Sequence, residues 1–431
     1  MTRSPLIIES LAIGDELLDG RLADTNSRML AEALSDLGLS LSRAVAVGDH
    51  IDDIAAAVRE AAGRADVVVT SGGLGPTTDD LTAEGVASAA GCGVRLDEES
   101  WQRIQARFAE RGFELPPNNR RQAELPETST TLPNEVGVAP GFLTEVGGAE
   151  VFSFPGVPRE YRWLLEHHLS PRLRERLSRA AERHQARRTL RCLGITESAL
   201  GQAMADFEQA HPDVRVQYRT SFPENHLRLV VEGGDPAETE ARADALAAEA
   251  RGLIGGAVYA IGDKPLEELL LAALTSRGLT LATAESCTGG LIGKVLTDVP
   301  GSSTAFLGGV VSYANDVKVA FLDVDANVLA DKGAVSEEVA AQMAEGARRR
   351  LGATYGVSTT GIAGPGGGSD DKPVGTVWFG LSGPEGTFTK RRWLPFPGRS
   401  QIRELAAAVS LRWLLSHLEE QGGGPEGPLG A

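Results

Sequence analysis

Ser286 and Cys287 are the residues whose types and setting most directly suggest covalent chemistry. They lie in residues 283–290, Thr-Ala-Glu-Ser-Cys-Thr-Gly-Gly, between an apolar run at 279–282 and a helical pattern at 291–296. A strand that turns through small polar residues into a helix puts hydroxyls and backbone N–H groups at the carboxyl edge of a sheet, where open α/β folds bind ligands. Two readings compete. Ser286 or Cys287 is a nucleophile, or Ser286 or Thr288 merely caps the helix, the ordinary task of a hydroxyl there.

A nucleophile needs a base. The seven His stand at 50, 167, 168, 184, 211, 226 and 417, so residues 262–416 hold none, which excludes a Ser-His-Asp triad within that stretch and argues against a metal centre there. All six Lys (264, 294, 318, 332, 372, 390) fall after residue 262 in a chain that has 36 Arg. Arg is nearly useless as a proton acceptor, whereas a desolvated Lys can serve as one. Lys318 and Tyr313 follow the strand pattern at 307–312, within reach of Ser286 if the strands are parallel neighbours. That leaves a Ser-Lys pair, against the alternative that Lys318 is a solvated helix residue. Residues 360–368, Thr-Gly-Ile-Ala-Gly-Pro-Gly-Gly-Gly, form a second glycine-rich corner whose N–H groups could serve as an oxyanion hole or phosphate cradle. Arg399 and Arg403 could pair with a phosphate.

A third corner lies in the N-terminal half. Residues 71–80, Ser-Gly-Gly-Leu-Gly-Pro-Thr-Thr-Asp-Asp, follow an apolar run at 66–70 and precede a helix from Leu81. Gly72, Gly73, Gly75 and Thr77 read as a phosphate-binding loop at a helix N-terminus. Asp79 and Asp80 could hold a hard divalent cation between protein and phosphate, or could only complement the helix dipole. The loop is neither a Walker A motif nor a full Gly-x-Gly-x-x-Gly fingerprint.

The elements that position these corners follow from periodicity. A length of 431 residues suggests about three domains. Strand patterns at 5–13, 42–47, 66–70 and 151–154 alternate with helical patterns at 25–37, 51–62, from 81 and from 159, which predicts an α/β doubly wound parallel sheet. Residues 114–148, rich in Pro, Gly, Asn and Thr, read as a long functional or disordered loop. Residues 159–191 carry ten Arg against four Glu and read as a solvated helix joining two domains. Residues 188–262 alternate as strand, helix, strand, strand, helix, strand, a small α+β domain of split βαβ type. Helix 266–277, the Ser286 corner, strand 307–312, helix 336–351 capped by Ser336, strands 353–359, 376–381 and 388–394, and helix 400–418 follow. Residues 421–431 read as a disordered Gly/Pro tail.

Composition bounds the partners. The formal net charge of −17, from 42 basic and 59 acidic residues, repels nucleic acid and anionic membranes at long range but leaves room for a small anion in a local basic pocket. No apolar run reaches 18 residues, the first residues lead into a strand pattern rather than a signal peptide, and three distant Cys indicate neither a disulfide framework nor a zinc site. The expectation is a soluble, cytoplasmic protein.

Several motifs recur together and in order in one family. Thr-Ala-Glu-Ser-Cys-Thr-Gly-Gly, Pro-Gly-Ser-Ser, Ser-Tyr-Ala-Asn-Asp-Val-Lys, Gly-Ala-Val-Ser, Gly-Ile-Ala-Gly-Pro-x-Gly-Gly and Lys-Pro-Val-Gly-Thr-Val resemble the nicotinamide-nucleotide amidase domain of the competence/damage-inducible CinA family. Gly-Asp-Glu-Leu-Leu, Asp-Thr-Asn-Ser, Ser-Gly-Gly-Leu-Gly-Pro-Thr-x-Asp-Asp and Pro-Gly-Val-Pro-Arg-Glu resemble the molybdopterin-binding-like domain of the same family.

The resemblance implies a molybdopterin-binding-like domain at 1–172, a KH-like middle domain at 173–261 and an α/β/α sandwich amidase domain at 262–420. The last would hydrolyse nicotinamide mononucleotide to nicotinate mononucleotide and ammonia without a cofactor. Ser286 and Lys318 would be its catalytic pair, with Tyr313 and Thr360, and its substrate would lie against Gly289, Gly290, Gly361, Ala363, Gly364, Arg399 and Arg403. The N-terminal domain would cleave ADP-ribose to AMP and ribose 5-phosphate with a divalent metal (Mg, Mn or Co), with potassium. Its phosphate site would be Gly72, Gly73, Gly75 and Thr77, and its metal residues Asp79, Asp80 and Asp15, with Asn26 nearby. A homodimer without membrane attachment is implied. The middle domain lacks a Gly-x-x-Gly clamp between its first helices, which argues against RNA binding. The alternative is that the N-terminal domain only binds a nucleotide or pterin and that the protein is a competence or DNA-damage factor.

Overall fold

The computed structural model describes residues 6–180 and 184–421. The chain divides into two compact units, Met1–Glu182 and Arg183–Ala431. The tail expected to be disordered lies, from residue 422 on, outside the described residues.

In the first unit, the β-rich runs that lack alternation are strands covered on both faces, as parallel sheets require. The six-stranded sheet runs Leu41–Val47, Ile8–Ile13, Val67–Ser71, Ala149–Phe154, Gly141–Val146, Thr130–Leu132. The first four strands are parallel and the last two antiparallel. Val68 and Val151 face a core with Ile54, Val58 and Val86 of helices Ile51–Ala62 and Thr82–Ala90. Their neighbours Val67, Val69, Phe152 and Phe154 face another with Leu30, Leu34 and Tyr161 of helices Asn26–Asp36 and Pro158–Leu164. Glu9, inside the first strand and only 2% exposed, is answered by Arg64 (Nε–Oε1 2.7 Å and Nη2–Oε2 2.8 Å).

Residues 114–148 are not a long loop. They contain a 3-10 turn, Pro117–Ala123, and strands Glu124–Pro126, Thr130–Leu132 and Gly141–Val146. The basic stretch 159–191 is not one linking helix either. Its helical part ends with Ser170–Ala180, and its last residues belong to strand His184–Leu193.

The second unit contains two sheets. Strands Arg215–Ser221, Glu224–Gly233, His184–Leu193 and Val258–Ile261 lie in that order, with antiparallel pairing throughout. Helices Glu197–Ala210 and Pro236–Ile254 share its core. The other sheet runs Phe306–Val311, Leu281–Glu285, Tyr355–Gly361, Thr376–Gly383, Gly386–Trp393, parallel for the first three and antiparallel for the rest. One face packs against helices Leu266–Ser276, Leu291–Thr297 and Arg399–Gln421. The other packs against Asn315–Leu322 and Glu337–Leu351. This is the expected three-layer α/β/α arrangement. Ser336 stands at the N-cap of Glu337–Leu351, but its hydroxyl donates to Gly333 O (2.8 Å) rather than capping the helix.

Helix Glu337–Leu351 seats on the sheet through small residues. A Cβ at Gly356 would fall 2.1 Å from Ala344 O, and one at Gly380 2.3 Å from Ala340 O. The helix therefore rests backbone to backbone on the strand that ends at the second glycine corner. Gly356→Val is expected to lower the stability of this unit by about 1–3 kcal/mol, the usual cost of overpacking, read as a lower thermal midpoint. An unchanged midpoint would mean the helix is not held this close.

Candidate active site

In both large sheets the first strand is flanked on either side by the next two, so the chain reverses direction across it. The carboxyl ends of the strands at such a switch point form the crevice where α/β folds bind ligands. In the second unit, strand Leu281–Glu285 lies between Phe306–Val311 and Tyr355–Gly361. The strand reaches Glu285, three residues beyond the expected apolar run, so the turn begins at Ser286 itself.

Two backbone hydrogen bonds tie the three loops together there. Ser286 N–H donates to Thr359 O (2.9 Å), and Ser312 N–H donates to Glu285 O (2.8 Å). The corner helix Leu291–Thr297 is not capped by Ser286 or Thr288. The Glu285 carboxylate, 2% exposed, accepts from Gly290 N (2.9 Å) and Ile292 N (3.0 Å) through Oε2 and from Gly293 N (2.8 Å) through Oε1. The Thr288 hydroxyl instead shares a 2.7 Å hydrogen bond with Thr359. Gly289 and Gly290 turn with φ of 60° and 92°, the left-handed region that glycine tolerates best.

Lys318 is buried at 1% exposure on helix Asn315–Leu322, which excludes the solvated alternative. Its Nζ donates to Ser312 O (2.7 Å) and Tyr313 O (3.3 Å). Burial pulls its pKa below the ordinary 10.5. A neutral amine has two N–H bonds, so these carbonyls can take both and leave the lone pair free to receive a proton. Among the described residues no hydrogen bond joins Ser286 Oγ to Lys318 Nζ. Cys287 is buried, and burial pushes its thiol up to about 12, so it stays protonated and packs as a small apolar group.

The remaining expected residues fall into two groups. The Tyr313 hydroxyl accepts from Arg399 Nη2 (2.9 Å), while Arg399 Nη1 donates to Gly364 O (2.9 Å). Arg403 Nη2 donates to Thr288 O (2.8 Å) and passes close to Gly289. Both guanidinium groups, on the first turn of helix Arg399–Gln421, therefore link the loops around Ser286 through neutral acceptors. Thr360 is buried and its hydroxyl donates to Ala334 O (2.7 Å), so its proton is committed away from the corner. In the second glycine corner, Ile362 N–H is spent on Thr376 O (2.9 Å). Ala363 and Gly364 have no backbone acceptor for their N–H groups among the described residues. Gly361 has no room for a side chain, since a Cβ would lie 2.7 Å from Thr376 O.

Glu285 and Thr359 are the residues that reading the sequence missed. An acidic residue closing an apolar strand, just before a Gly-Gly turn and a helix, was the available signal for the first.

The other switch point is a cleft of about 780 Å³ at the end of strand Ile8–Ile13, lined by Gly72, Gly73, Gly75 and Asn26. Gly72 has φ of 108°, and a Cβ there would strike Ile13 O at 2.2 Å, so the two loops touch through backbone. Asn26 Nδ2 donates to Ser71 Oγ and Gly156 O (both 2.8 Å), leaving its buried Oδ1 without a partner among the described residues. Thr77 does not present its polar groups to the cleft as expected. Its N–H donates to Asp80 Oδ2 (2.8 Å), and its hydroxyl lies within hydrogen-bond reach of Asp79 and Asp80.

Asp15, Asp79 and Asp80 are not gathered into a closed metal cage. Asp15 is bound instead to Asp49, each backbone N–H donating to the other's carboxylate (2.9 and 3.2 Å). Among the described residues no three His, Cys, Asp or Glu side chains could hold a metal by themselves. The Asp49 carboxyl is nevertheless raised, by burial first and then by the charges of Asp15, Glu16 and Asp79. An ion that arrives on a phosphate needs only one or two protein carboxylates, and Asp49, Asp79 and Asp80 line this cleft.

Among the described residues no helix is long and apolar enough to cross a membrane. Three family models match the chain: the CinA C-terminal domain at 263–418, a probable molybdopterin binding domain at 9–175, and the damage-inducible protein CinA KH domain at 187–260. A CinA-like protein of Myxococcus xanthus is 44% identical over 95% of this chain and 98% of its own length. One of Anaeromyxobacter is 45% identical over the same shares. Among solved structures, CinA of Thermoplasma acidophilum is 36% identical, covering 38% of this chain and 96% of its own, at a TM-score of 0.36. The competence/damage inducible protein CihA of Agrobacterium tumefaciens is 41% identical over 37% of this chain and 99% of its own, at 0.35. With relatives this similar from end to end, the chain belongs to the CinA-like family.

Proposed function

We propose that the second unit hydrolyses the carboxamide of nicotinamide mononucleotide, giving nicotinate mononucleotide and ammonia, with Ser286 as nucleophile and Lys318 as base. The observation that carries this reading is a buried lysine with no carboxylate partner among the described residues, held by two carbonyls on the loop beside Ser286. A stability-driven design would avoid such a residue, and perturbed groups of this kind concentrate at functional sites.

In the reaction, Ser286 Oγ attacks the amide carbon and its proton passes to Lys318. The tetrahedral intermediate then expels ammonia, which takes that proton, and leaves an ester on Ser286. Water attacks the ester, again through Lys318, and the carboxylate product departs as Ser286 regains its proton. The free N–H groups of Ala363 and Gly364 are the available donors for the oxyanion. Arg399 and Arg403, satisfied by neutral acceptors alone, can turn to the phosphate with charge-assisted bonds.

We propose a second reading for the first unit: cation-dependent cleavage of ADP-ribose in the cleft above Gly72 and Gly73. The Asp49 carboxyl, raised by burial and by the charges of Asp15, Glu16 and Asp79, favours it. A bound divalent ion would neutralise the phosphate oxygens, and Asp15, Asp79 and Asp80 are the residues placed to hold it.

Ser286→Ala and Lys318→Met should each abolish ammonia release, while Cys287→Ala keeps most of it; full activity in either of the first two would sink the mechanism. The rate should climb with pH as Lys318 loses its proton, with a midpoint below 10.5. The same shift has a stability signature. A lysine whose folded pKa lies below its unfolded one costs the fold most where both states hold the proton, and the cost fades as pH rises toward the unfolded value. The Tm of Lys318→Met relative to wild type should therefore fall as pH is raised from about 7 to about 10. A constant difference would place Lys318 outside the low-dielectric setting described here. For the first unit, AMP should appear from ADP-ribose only with a divalent ion and disappear on chelation. Saturable binding without turnover would instead make this unit a nucleotide- or pterin-binding module.

A further inference from the structure

We propose that Glu285 is the positioning residue of the nucleophile, a clamp that fixes the Ser286 turn by holding both of its ends. The proposal rests on the amide-hydrolysis reading for its catalytic consequence. Its physical basis is separate. Glu285 ends the strand, and its main-chain oxygen is already tied to Ser312 N–H. Its side chain reaches across the turn to Gly290, Ile292 and Gly293. Residues 286–289 therefore form a short loop closed by one carboxylate, with Ser286 as the first residue inside it.

No Lys or Arg forms an ion pair with Glu285 among the described residues, so the three N–H groups are what satisfies its charge. This makes the clamp sensitive to chemistry as well as to size. A glutamine has nearly the same shape, but its amide offers one acceptor oxygen and turns an NH2 group toward remaining N–H donors. Donor would face donor, and the corner helix would pull away from the strand end. A displacement of about 1 Å in a reacting group can cost roughly 100-fold in rate, so the effect should fall on kcat rather than on binding through Arg399 and Arg403.

The test uses the full chain with Glu285→Gln and Glu285→Asp. Three quantities are compared with wild type: kcat and KM for ammonia release from nicotinamide mononucleotide, Tm, and the rate at which a fluorophosphonate labels Ser286. In labelling, a bond forms from Ser286 Oγ to phosphorus, fluoride leaves, and the serine proton passes to Lys318, so the probe reports nucleophile placement without the natural substrate. Glu285→Gln should lose about 100-fold in both kcat and labelling rate with KM within about threefold. Glu285→Asp, which keeps the charge but is one methylene short, should fall between the two and carries the comparison if the Gln variant does not fold. The idea is overturned if the folded Gln variant, or the Asp variant in its place, keeps wild-type kcat and labelling, or if kcat falls only with the folded fraction. If wild type releases no ammonia but labels at Ser286 in a Glu285-dependent way, the substrate reading fails and the clamp stands.

Discussion

A single buried carboxylate determines the geometry of the second unit's crevice. Glu285 is satisfied by three backbone N–H groups at the start of a helix, and hydrogen bonds to a charged group are worth roughly 1.5–3 kcal/mol each. Without them a carboxylate at this depth would be untenable. The consequence runs outward in two directions. The helix start, which in many α/β folds receives a ligand's phosphate, has Gly290, Ile292 and Gly293 N–H already spent. An anionic ligand at this corner has to be met elsewhere, by Arg399 and Arg403 or by the N–H groups of Ala363 and Gly364.

Lys318 is the counterpart of opposite sign. Its amine is also taken out of water and also satisfied by backbone, in this case by two carbonyls. Backbone carbonyls accept from its N–H bonds without the full negative charge of a carboxylate, which would hold the proton on it. Desolvation is then free to lower the pKa. A carboxylate in the same place would have made Lys318 a structural ion pair with a raised pKa. The corner thus holds a buried acid and a buried base that do not neutralise one another, because each is matched to the peptide group instead.

Much of this was legible in the sequence, and the failures have physical causes. Apolar runs flanked by glycine turns located the parallel strands of both large sheets, and the absence of His from 262–416 left Lys318 as the leading candidate for a base on chemical grounds. Burial is a tertiary property, so the sequence could not choose between a solvated and a buried Lys318. Glu285 reads as one letter of a motif because its partners are backbone groups, and only its place between an apolar strand and a Gly-Gly turn hints at them. The stretch at 114–148 was taken for a loop because its turn residues outnumber its short strands. Yet Val146-Gly147-Gly148-Ala149 is a two-residue hairpin turn, with φ of 59° and 90° at the two glycines, and Gly-Gly between β-rich runs signals such a hairpin. Thr77 and Thr360 show a further limit. Both are at the expected corners, but their hydroxyl groups are engaged by the protein's own acceptors.

The two crevices share a topology and differ in charge. Glu16, Asp24, Asp49, Asp79, Asp80 and Glu160 line the N-terminal cleft, and among the described residues its lining holds no Lys, Arg or His. The Ser286 corner gathers Lys318, Arg399 and Arg403. In a chain of net charge −17, a bare phosphate entering the first crevice would meet like charges at short range, where the penalty is several kcal/mol for even partly buried pairs. In the second it would meet Arg399 and Arg403, while the Glu285 charge is already taken up by backbone N–H groups. A phosphorylated ligand would therefore find cationic side chains at the Ser286 corner and only carboxylates among the charged residues lining the N-terminal cleft. The fold supplies two equivalent switch points, and the side chains around each give them different charge.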